Sequence, residues 1–409
     1  FTTWRTHRGP IVRSENGRWV AFAMMDRPVQ ALQQSYLRTK ATDVSSFLNV
    51  ARLQANSSNN TIFADSKGAI AYLHPQFVPR RDNRFDYTKV VDGSDPATDW
   101  TSLHGLHELP SVINPPNGWV QNTNNWPWSA SGPFSPVAGN FPHYMDSWGE
   151  NPRGLHAVSL LSGSRGWTLD KLQSAAYDTY QPGFAKLIPG LISAWEATPS
   201  SDPLRRRLAE PISELRGWDY RWSATSIENS LAAFWGDGLW KIVSAPDWDD
   251  GLTVYERLDR LSPRQKLAAF EAAVAKLEQD FGTWRVAWGE INRFQRLTGD
   301  IVQPFSDAGS SIPVGFGSGR WGSLASFGAK SYPGTKRWYG TSGNSFVAVV
   351  EFGPRVKARA VTAGGESGDP ASPHFNDQAV RYATGNLRPV YFHPDELKGH
   401  IERTYHPGE

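Results

Sequence analysis

Asn117-Gly118-Trp119-Val120-Gln121-Asn122-Thr123-Asn124-Asn125 is the most informative run of this 409-residue chain. A short apolar strand, Trp119-Val120, leads into a cluster of carboxamides. Each asparagine side chain offers two donors and an acceptor without net charge. Two uses compete for such a cluster. Asparagine closes turns by bonding to nearby backbone. It also suits an oxyanion hole, where a fixed donor meets charge that appears only in the transition state. The residue types alone leave both uses open.

The run lies inside an irregular region, 74–152, dominated by Pro, Gly, Asn, Asp and Trp, as in Pro115-Pro116-Asn117-Gly118 and Trp126-Pro127-Trp128. So long a stretch without periodicity is functional or disordered. Its aromatic side chains have surface to bury, which favours an ordered loop lining a site. Upstream the pattern is β, then α, then β. Residues 2–12 and 18–23 flank Glu15-Asn16-Gly17, a strong hairpin signal. A helical stretch over 28–54 breaks near Lys40. Its second half is capped by Thr42 or Asp43 and places Val44, Phe47, Leu48 and Ala51 on one face. A second hairpin joins 61–65 to 69–73 across Ser66-Lys67-Gly68.

Downstream, helices are expected over 168–179, 183–196, 203–215, 226–243 and 262–281. In the last, Ser262 caps, Pro263 takes the first position and Gln265 completes a capping box. Leu267, Phe270, Val274, Leu277 and Phe281 form its buried stripe. Strands return at 345–352, with 356–362 as hairpin partner. Strands, helices and strands without βαβ alternation give an α+β fold.

Composition narrows the function. Lys and Arg number 42 against 40 Asp and Glu, a net charge of +2. No excess of cations is available to release counterions, so binding to nucleic acid by bulk electrostatics is excluded. No run reaches about 18 apolar residues, and no membrane span is expected. The absence of cysteine removes disulfides, thiolate metal sites and cysteine catalysis, without fixing the compartment. The chain is rich in aromatics, with 18 Trp, and starts at Phe1, which is neither an initiator Met nor a signal peptide.

Other motifs read as ordinary structure. Gly317-Ser318-Gly319-Arg320-Trp321-Gly322 matches a dinucleotide fingerprint as a string. It lacks the preceding strand and following helix, and a flexible loop is expected. His104-Gly105-Leu106-His107-Glu108 offers metal-ligand types, yet Pro110 cuts the helix that would align them and no third ligand is evident. Gly-x-Ser-x-Gly does not occur. Asp247, Asp249 and Asp250 could form a glycosidase carboxylate pair, or serve as turn residues and caps.

Gly118-Trp119-Val120-Gln121-Asn122-Thr123-Asn124 resembles the Gly-aromatic-aliphatic-x-Asn-x-Asn segment of the penicillin acylase family. These are N-terminal-nucleophile amidohydrolases that cleave penicillins, cephalosporin derivatives, acyl-homoserine lactones and related amides. Further motifs fall in family order. Trp4-Arg5-Thr6-His7-Arg8-Gly9-Pro10-Ile11-Val12 is similar to the Arg-Thr-x-His-Gly-Pro-Val strand. Asn60 with Ala64-Asp65-Ser66-Lys67-Gly68-Ala69-Ile70-Ala71-Tyr72 resembles the Asn…Ala-Asp-x-x-Gly-Asn-Ile-Gly-Tyr hairpin. Asn151-Pro152-Arg153 lies where an Ala-x-Arg segment begins a helix. Gly365-Glu366-Ser367-Gly368 and Ser372-Pro373-His374-Phe375-Asn376-Asp377-Gln378 resemble the terminal Gly-Gln-Ser-Gly…Ser-Pro-His-Tyr-x-Asp-Gln signature.

The resemblance implies a four-layered αββα core with a large helical excursion. Residues 1–75 would supply core strands and helices, 76–155 the site-lining loop, 156–300 the excursion and 301–409 the return strands. The implied chemistry is acyl transfer to a chain-terminal Ser whose own α-amine is the base. Asn124 would hold the oxyanion and Arg153 would anchor the site by hydrogen bonds near the nucleophile and Asn124. Val50 and Asn59 would wall the acyl pocket, Asn59 favouring a polar acyl group. The family's Ser opens its large subunit well upstream of the motif that starts this chain, and Phe1 has no nucleophilic side chain. The chain is therefore expected to be the C-terminal portion of the large (beta) subunit of a processed zymogen. It would be inactive alone and partnered by other chains of the precursor, including the one bearing the N-terminal Ser. His7, displaced by the intervening Arg8, is given no role. A small N-acyl substrate, a periplasmic or secreted location and no cofactor are implied, with any calcium taking most of its ligands from outside the chain. A different class, a Trp-rich carbohydrate-binding or accessory protein, would display its aromatics. Burial of Trp284 and Trp288 separates the two.

Overall fold

The first hairpin is tighter than its sequence suggests. In the computed structural model, which describes residues 2–245, 250–406 and 408, the strand expected over 2–12 is divided. Arg5–Thr6 folds back on Gly9–Glu15, pairing Thr6 with Gly9, and Arg18–Ala21 completes the antiparallel sheet. The turn at His7-Arg8 is possible because Gly9 adopts φ +150°, and a Cβ there would lie 2.0 Å from the Phe22 carbonyl oxygen. Arg8 then reaches the long loop, donating to Thr98 Oγ1 at 2.8 Å and pairing with Asp99 at 2.9 Å. The residue that interrupts the family motif thus has a structural task.

The chain forms two compact units, Phe1–Glu150 and Asn151–Glu409. In the first, helices Pro28–Arg38 and Val44–Ala51 follow the hairpin. Asp43 caps the second, accepting from the Ser46 amide at 2.8 Å while the Ser46 hydroxyl accepts from the Asp43 amide. Phe47 of this helix packs on Phe63 with centroids 4.7 Å apart. Thr61–Ala64, Ile70–Leu73 and Ser111–Ile113 form an antiparallel sheet in that order. Tyr72 is fully buried and donates to Asn60 Oδ1 at 2.9 Å, which accounts for both polar ends of that hairpin motif. The region 74–152 is largely irregular, as expected. Its one strand, three residues long and bracketed by prolines, is too short to show a period.

The second unit is helical and then β. Helices Pro152–Ser162, Leu169–Ala176, Pro182–Glu196, Pro203–Arg207, Ala209–Arg216, Ile227–Val243, Val254–Arg260 and Pro263–Phe281 precede its sheets. The single helix expected over 203–215 is two, meeting at fully buried Leu208. Pro211 falls in the first turn of the second helix, where a missing N–H costs nothing. Leu267, Phe270, Val274 and Leu277 are buried against Leu231, Trp235 and Leu239, and Phe281 lies half-buried at the end of the stripe. Two mixed or antiparallel sheets follow, one ordered Ile312–Pro313, Asn292–Phe294, Trp338–Gly343, Phe327–Lys330, the other Phe346–Glu351, Lys357–Thr362, Arg388–Val390. The α+β class holds.

The tryptophans distinguish the two expected functional classes. Trp218, Trp235, Trp284, Trp288 and Trp321 are buried in one helical core. Phe184 stacks on Trp321 at 4.8 Å and Phe234 on Trp338 at 4.6 Å. Trp4, Trp19 and Trp148 are exposed and make no ring contact with one another. Burial of Trp284 and Trp288 is the arrangement that the acylase core requires. No helix among the described residues is long and apolar enough to cross a membrane.

Candidate active site

The asparagine loop uses most of its carboxamides to hold its own shape. Asn117 donates to the Ser131 carbonyl at 2.9 Å and accepts from the Ser131 hydroxyl at 2.9 Å. Gln121 donates to the Ser129 carbonyl, and Asn122 to the Asn125 carbonyl. Asn125, buried, donates to Ser129 Oγ and to Glu150 at 2.8 Å. Glu150 also accepts from the Trp126 indole at 3.1 Å and from Ser129 Oγ at 2.6 Å. The Trp119-Val120 pair joins no sheet. Gly118 at φ +76° bends the chain there, and a single bond, from the Gln121 amide to the Ala130 carbonyl, replaces a ladder.

Asn124 is treated differently. Its backbone is left-handed, φ +60°, with its amide donating to Asn122 Oδ1 at 3.1 Å, and its side chain is exposed. Asparagine tolerates this conformation better than most residues. Asn124 thus sits exposed in a loop braced by the carboxamides around it. The carboxamides of Asn117, Asn122 and Asn125 therefore serve turn chemistry.

Val50 sits half-buried on helix Val44–Ala51, and Asn59 is exposed in a turn closed by Asn56, whose side chain accepts from the Asn59 amide and donates to its carbonyl. Neither lines the cavity of about 660 Å³ in this unit, whose walls include Leu48, Arg52, Leu73, His74 and Gln76. Burial lowers the His74 pKa to about 4, opposed by the Met145 carbonyl. Sequence reading passed over this histidine, because its burial depends on the segment around Met145 rather than on its neighbours in the chain.

Arg153 belongs to the second unit. Helix Pro152–Ser162 starts at Asn151, which caps by accepting from the Gly154 amide at 3.0 Å, with Pro152 at the first position. The Arg153 side chain lies across Gly319, where a Cβ would come 2.8 Å from its Cδ. Burial lowers its pKa, and the phenol of Tyr255 raises it. Tyr255 is itself pushed up to about 12 by burial, with Arg153 and Arg320 pulling the other way, and it donates to the Arg320 carbonyl at 3.2 Å. Tyr255 is a neighbour of Arg153 that no sequence motif flagged, and Arg320 lies in the glycine string.

The glycine string around Gly319 is a packed turn. Trp321 is buried, and Gly322, at φ +107°, has no room for a Cβ, which would meet Pro182 at 2.4 Å. These glycines serve close packing, so the loop is neither a nucleotide cradle nor flexible in the way the string suggested. His104 is buried, bonded through Nε2 to Tyr144 at 2.9 Å, while Glu108 is held by Arg80 at 2.6 Å and by the Gly105 amide. The expected surface loop is thus partly internal, and among the described residues no group of three His, Asp or Glu could hold a metal. Asp247 and Asp249 lie outside the described residues. Asp250 pairs with Arg257 at 2.7 Å and accepts from the Leu252 amide.

The terminal signature is structural. Gln378, buried, accepts from the Thr362 amide at 3.0 Å and from Arg388 at 3.2 Å, and Glu366 accepts from Thr362 Oγ1 at 2.6 Å. Arg296 lies over the Phe375 ring at 4.2 Å and donates to the Phe375 and Ser367 carbonyls.

The Penicillin amidase profile matches residues 1–399. Penicillin G acylase of Escherichia coli is 27% identical over 242 residues, covering 58% of this chain and 26% of that protein. Acyl-homoserine lactone acylase PvdQ of Pseudomonas syringae pv. syringae is 25% identical over 424 aligned residues, 92% of this chain and 51% of PvdQ. A thermostable penicillin G acylase from Alcaligenes faecalis superposes with a TM-score of 0.66 at 17% identity, over 99% of this chain and 78% of that one, so the two share a fold. The chain spans about half the length, or less, of the curated relatives it matches. With five motifs in order and a family match over nearly every residue, the chain belongs to the Penicillin amidase family.

Proposed function

We propose that this chain is part of an amidohydrolase that cleaves the amide bond of small N-acyl compounds, such as β-lactam antibiotics or acyl-homoserine lactones. The acyl-enzyme would form on an N-terminal Ser outside residues 1–409, on another chain of the same processed precursor. The observation that carries the proposal is Asn124, left-handed and exposed in a loop braced by its neighbours. The Ser hydroxyl attacks the amide carbonyl and passes its proton to the α-amine. The oxyanion accepts a hydrogen bond from the Asn124 side-chain amide, the C–N bond breaks, and the leaving amine takes the proton. Water then loses a proton to the α-amine and displaces the acyl group, restoring the hydroxyl. Arg153 is assigned a positioning role, and Val50 and Asn59 the walls of the acyl pocket.

No cofactor enters these steps, and a calcium ion, where bound, would take most of its ligands from outside the chain. The family likeness also supports a periplasmic or secreted location, which fractionation of the producing cell tests. The decisive variant is Asn124→Gly in the full-length, processed enzyme, because glycine keeps the left-handed backbone while deleting the donor. Turnover is expected to fall by about 10²–10³-fold with KM little changed. Turnover within a few fold of wild type removes Asn124 from the oxyanion role.

A further inference from the structure

Several arginines of the second unit lie over aromatic rings while their N–H groups are engaged elsewhere in the protein. Arg285 lies over Trp284 at 4.0 Å and pairs with Glu210 at 2.9 Å. Arg205 lies over Trp195 at 4.9 Å and donates to the Glu196 carbonyl at 2.8 Å. Arg296, over Phe375, likewise donates to backbone carbonyls. Arg320 differs from these. Its guanidinium rests on the Trp240 ring at 4.5 Å, and the residue is exposed. Among the described residues its side chain makes no hydrogen bond and no ion pair. Asp237 feels its charge without pairing with it.

The backbone that carries Arg320 is fixed at three points. Its amide donates to Ser318 Oγ at 3.3 Å, its carbonyl accepts from the Tyr255 phenol at 3.2 Å, and the Gly319 amide donates to Ser326 Oγ at 3.0 Å. The Trp240 ring is held in turn by Tyr255 and Trp321, both edge-on, with centroids 5.7 and 6.0 Å away. Arg153 lies across the same turn, over Gly319. The Tyr255 phenol feels the charges of Arg153 and Arg320 together. Two cations thus act on one phenol, and a surface of one sign attracts the opposite charge. A guanidinium whose face rests on a ring still offers a fork of N–H donors along its edge, which a carboxylate accepts in pairs.

We propose that Arg320 is a specificity-determining residue that binds a carboxylate on the leaving amine, so that anionic amides such as N-acyl amino acids are preferred over uncharged lactones. The proposal rests on the amidohydrolase reading above, in which Arg153 is assigned a place beside the reacting groups. The acyl half of the substrate is assigned there to Val50 and Asn59, which leaves the amine half to Arg320. Contact with Trp240 holds the guanidinium in place, so little side-chain freedom is lost when the carboxylate arrives. The planar fork then sets the orientation of the leaving half, which a point charge on a flexible stem would not do.

The test uses matched pairs of N-acyl homoserine and N-acyl homoserine lactone, which share the acyl group and the scissile amide and differ in the carboxylate. Release of the amine by the full-length, processed enzyme is followed for acyl groups from acetyl to decanoyl, so that acyl preference does not decide the result. The carboxylate member is expected to have the higher kcat/KM by about tenfold or more, through KM, with a ratio that shrinks as salt is raised. Arg320→Met should bring the ratio to about one, and Arg320→Lys, which keeps the charge and loses the fork, should leave it intermediate. If the Met variant does not fold, the Lys variant and the salt series carry the test. A wild-type ratio near one, a ratio unchanged in Arg320→Met, or a ratio moved by neither Arg320→Lys nor salt overturns the role of Arg320 and leaves the amidohydrolase reading standing. Cleavage of neither member of any pair overturns both.

Discussion

Asn124 and His74 show what one position can reveal and what it conceals. The carboxamide cluster alone left two uses open and the family resemblance singled out Asn124, but its left-handed backbone depends on the bonds made by Asn122 and Asn125, which no spacing rule contains. His74 was not legible as a special residue, because its environment is assembled by distant segments. Its pKa falls from 6.5 to about 4 through burial. The sign of the consequence follows. Below pH about 6.5 the unfolded chain takes up a proton that the folded chain refuses until about pH 4, so stability falls as pH drops through that window and levels below it. The full difference is about 3 kcal/mol at 1.36 kcal/mol per pH unit. His74→Gln should flatten the slope of denaturant-derived stability between pH 6.5 and 4. An unchanged slope would show that another group sets the acid sensitivity.

At the scale of elements, the legible pieces were those with local rules. Ser262 caps its helix and exchanges bonds with Gln265 as the sequence demanded. The Asn16-Gly17 turn closes its hairpin. The missed pieces answer to distant partners: the early turn at His7-Arg8 needs Gly9 beside Phe22, and the break at Leu208 places that residue in a core built by other helices. Gly236, inside helix Ile227–Val243, is a sharper case. Replacing it with Ala gains about 1 kcal/mol of helix propensity. The new Cβ would lie 2.6 and 2.8 Å from two atoms of the Trp321 indole, a ring already stacked on Phe184. Overpacking of this kind costs about 1–3 kcal/mol, and the clash wins. Gly236→Ala is expected to lower the melting temperature; a rise would mean that the indole can move aside.

Across the whole molecule, the fold class was readable from the order of strands and helices, and the family from motif order. The division of labour among aromatic residues was not, because composition counts tryptophans without placing them. Placement matters to energetics in a checkable way. Phe270 is fully buried in a core that gathers residues from 184 to 321, with the Trp235 ring edge-on at 6.4 Å. Truncating such a phenylalanine to Ala costs about 3–5 kcal/mol, a large part of the roughly 5–15 kcal/mol that holds a domain folded. Phe346, 59% exposed at the start of a strand in another sheet, offers the contrast, since substitutions at exposed positions stay near 0.5 kcal/mol. Urea unfolding followed by tryptophan fluorescence should therefore shift to much lower denaturant in Phe270→Ala and barely move in Phe346→Ala. Equal shifts would mean that Phe346 is covered in the assembled protein, and the large effect would no longer belong to the helical core alone.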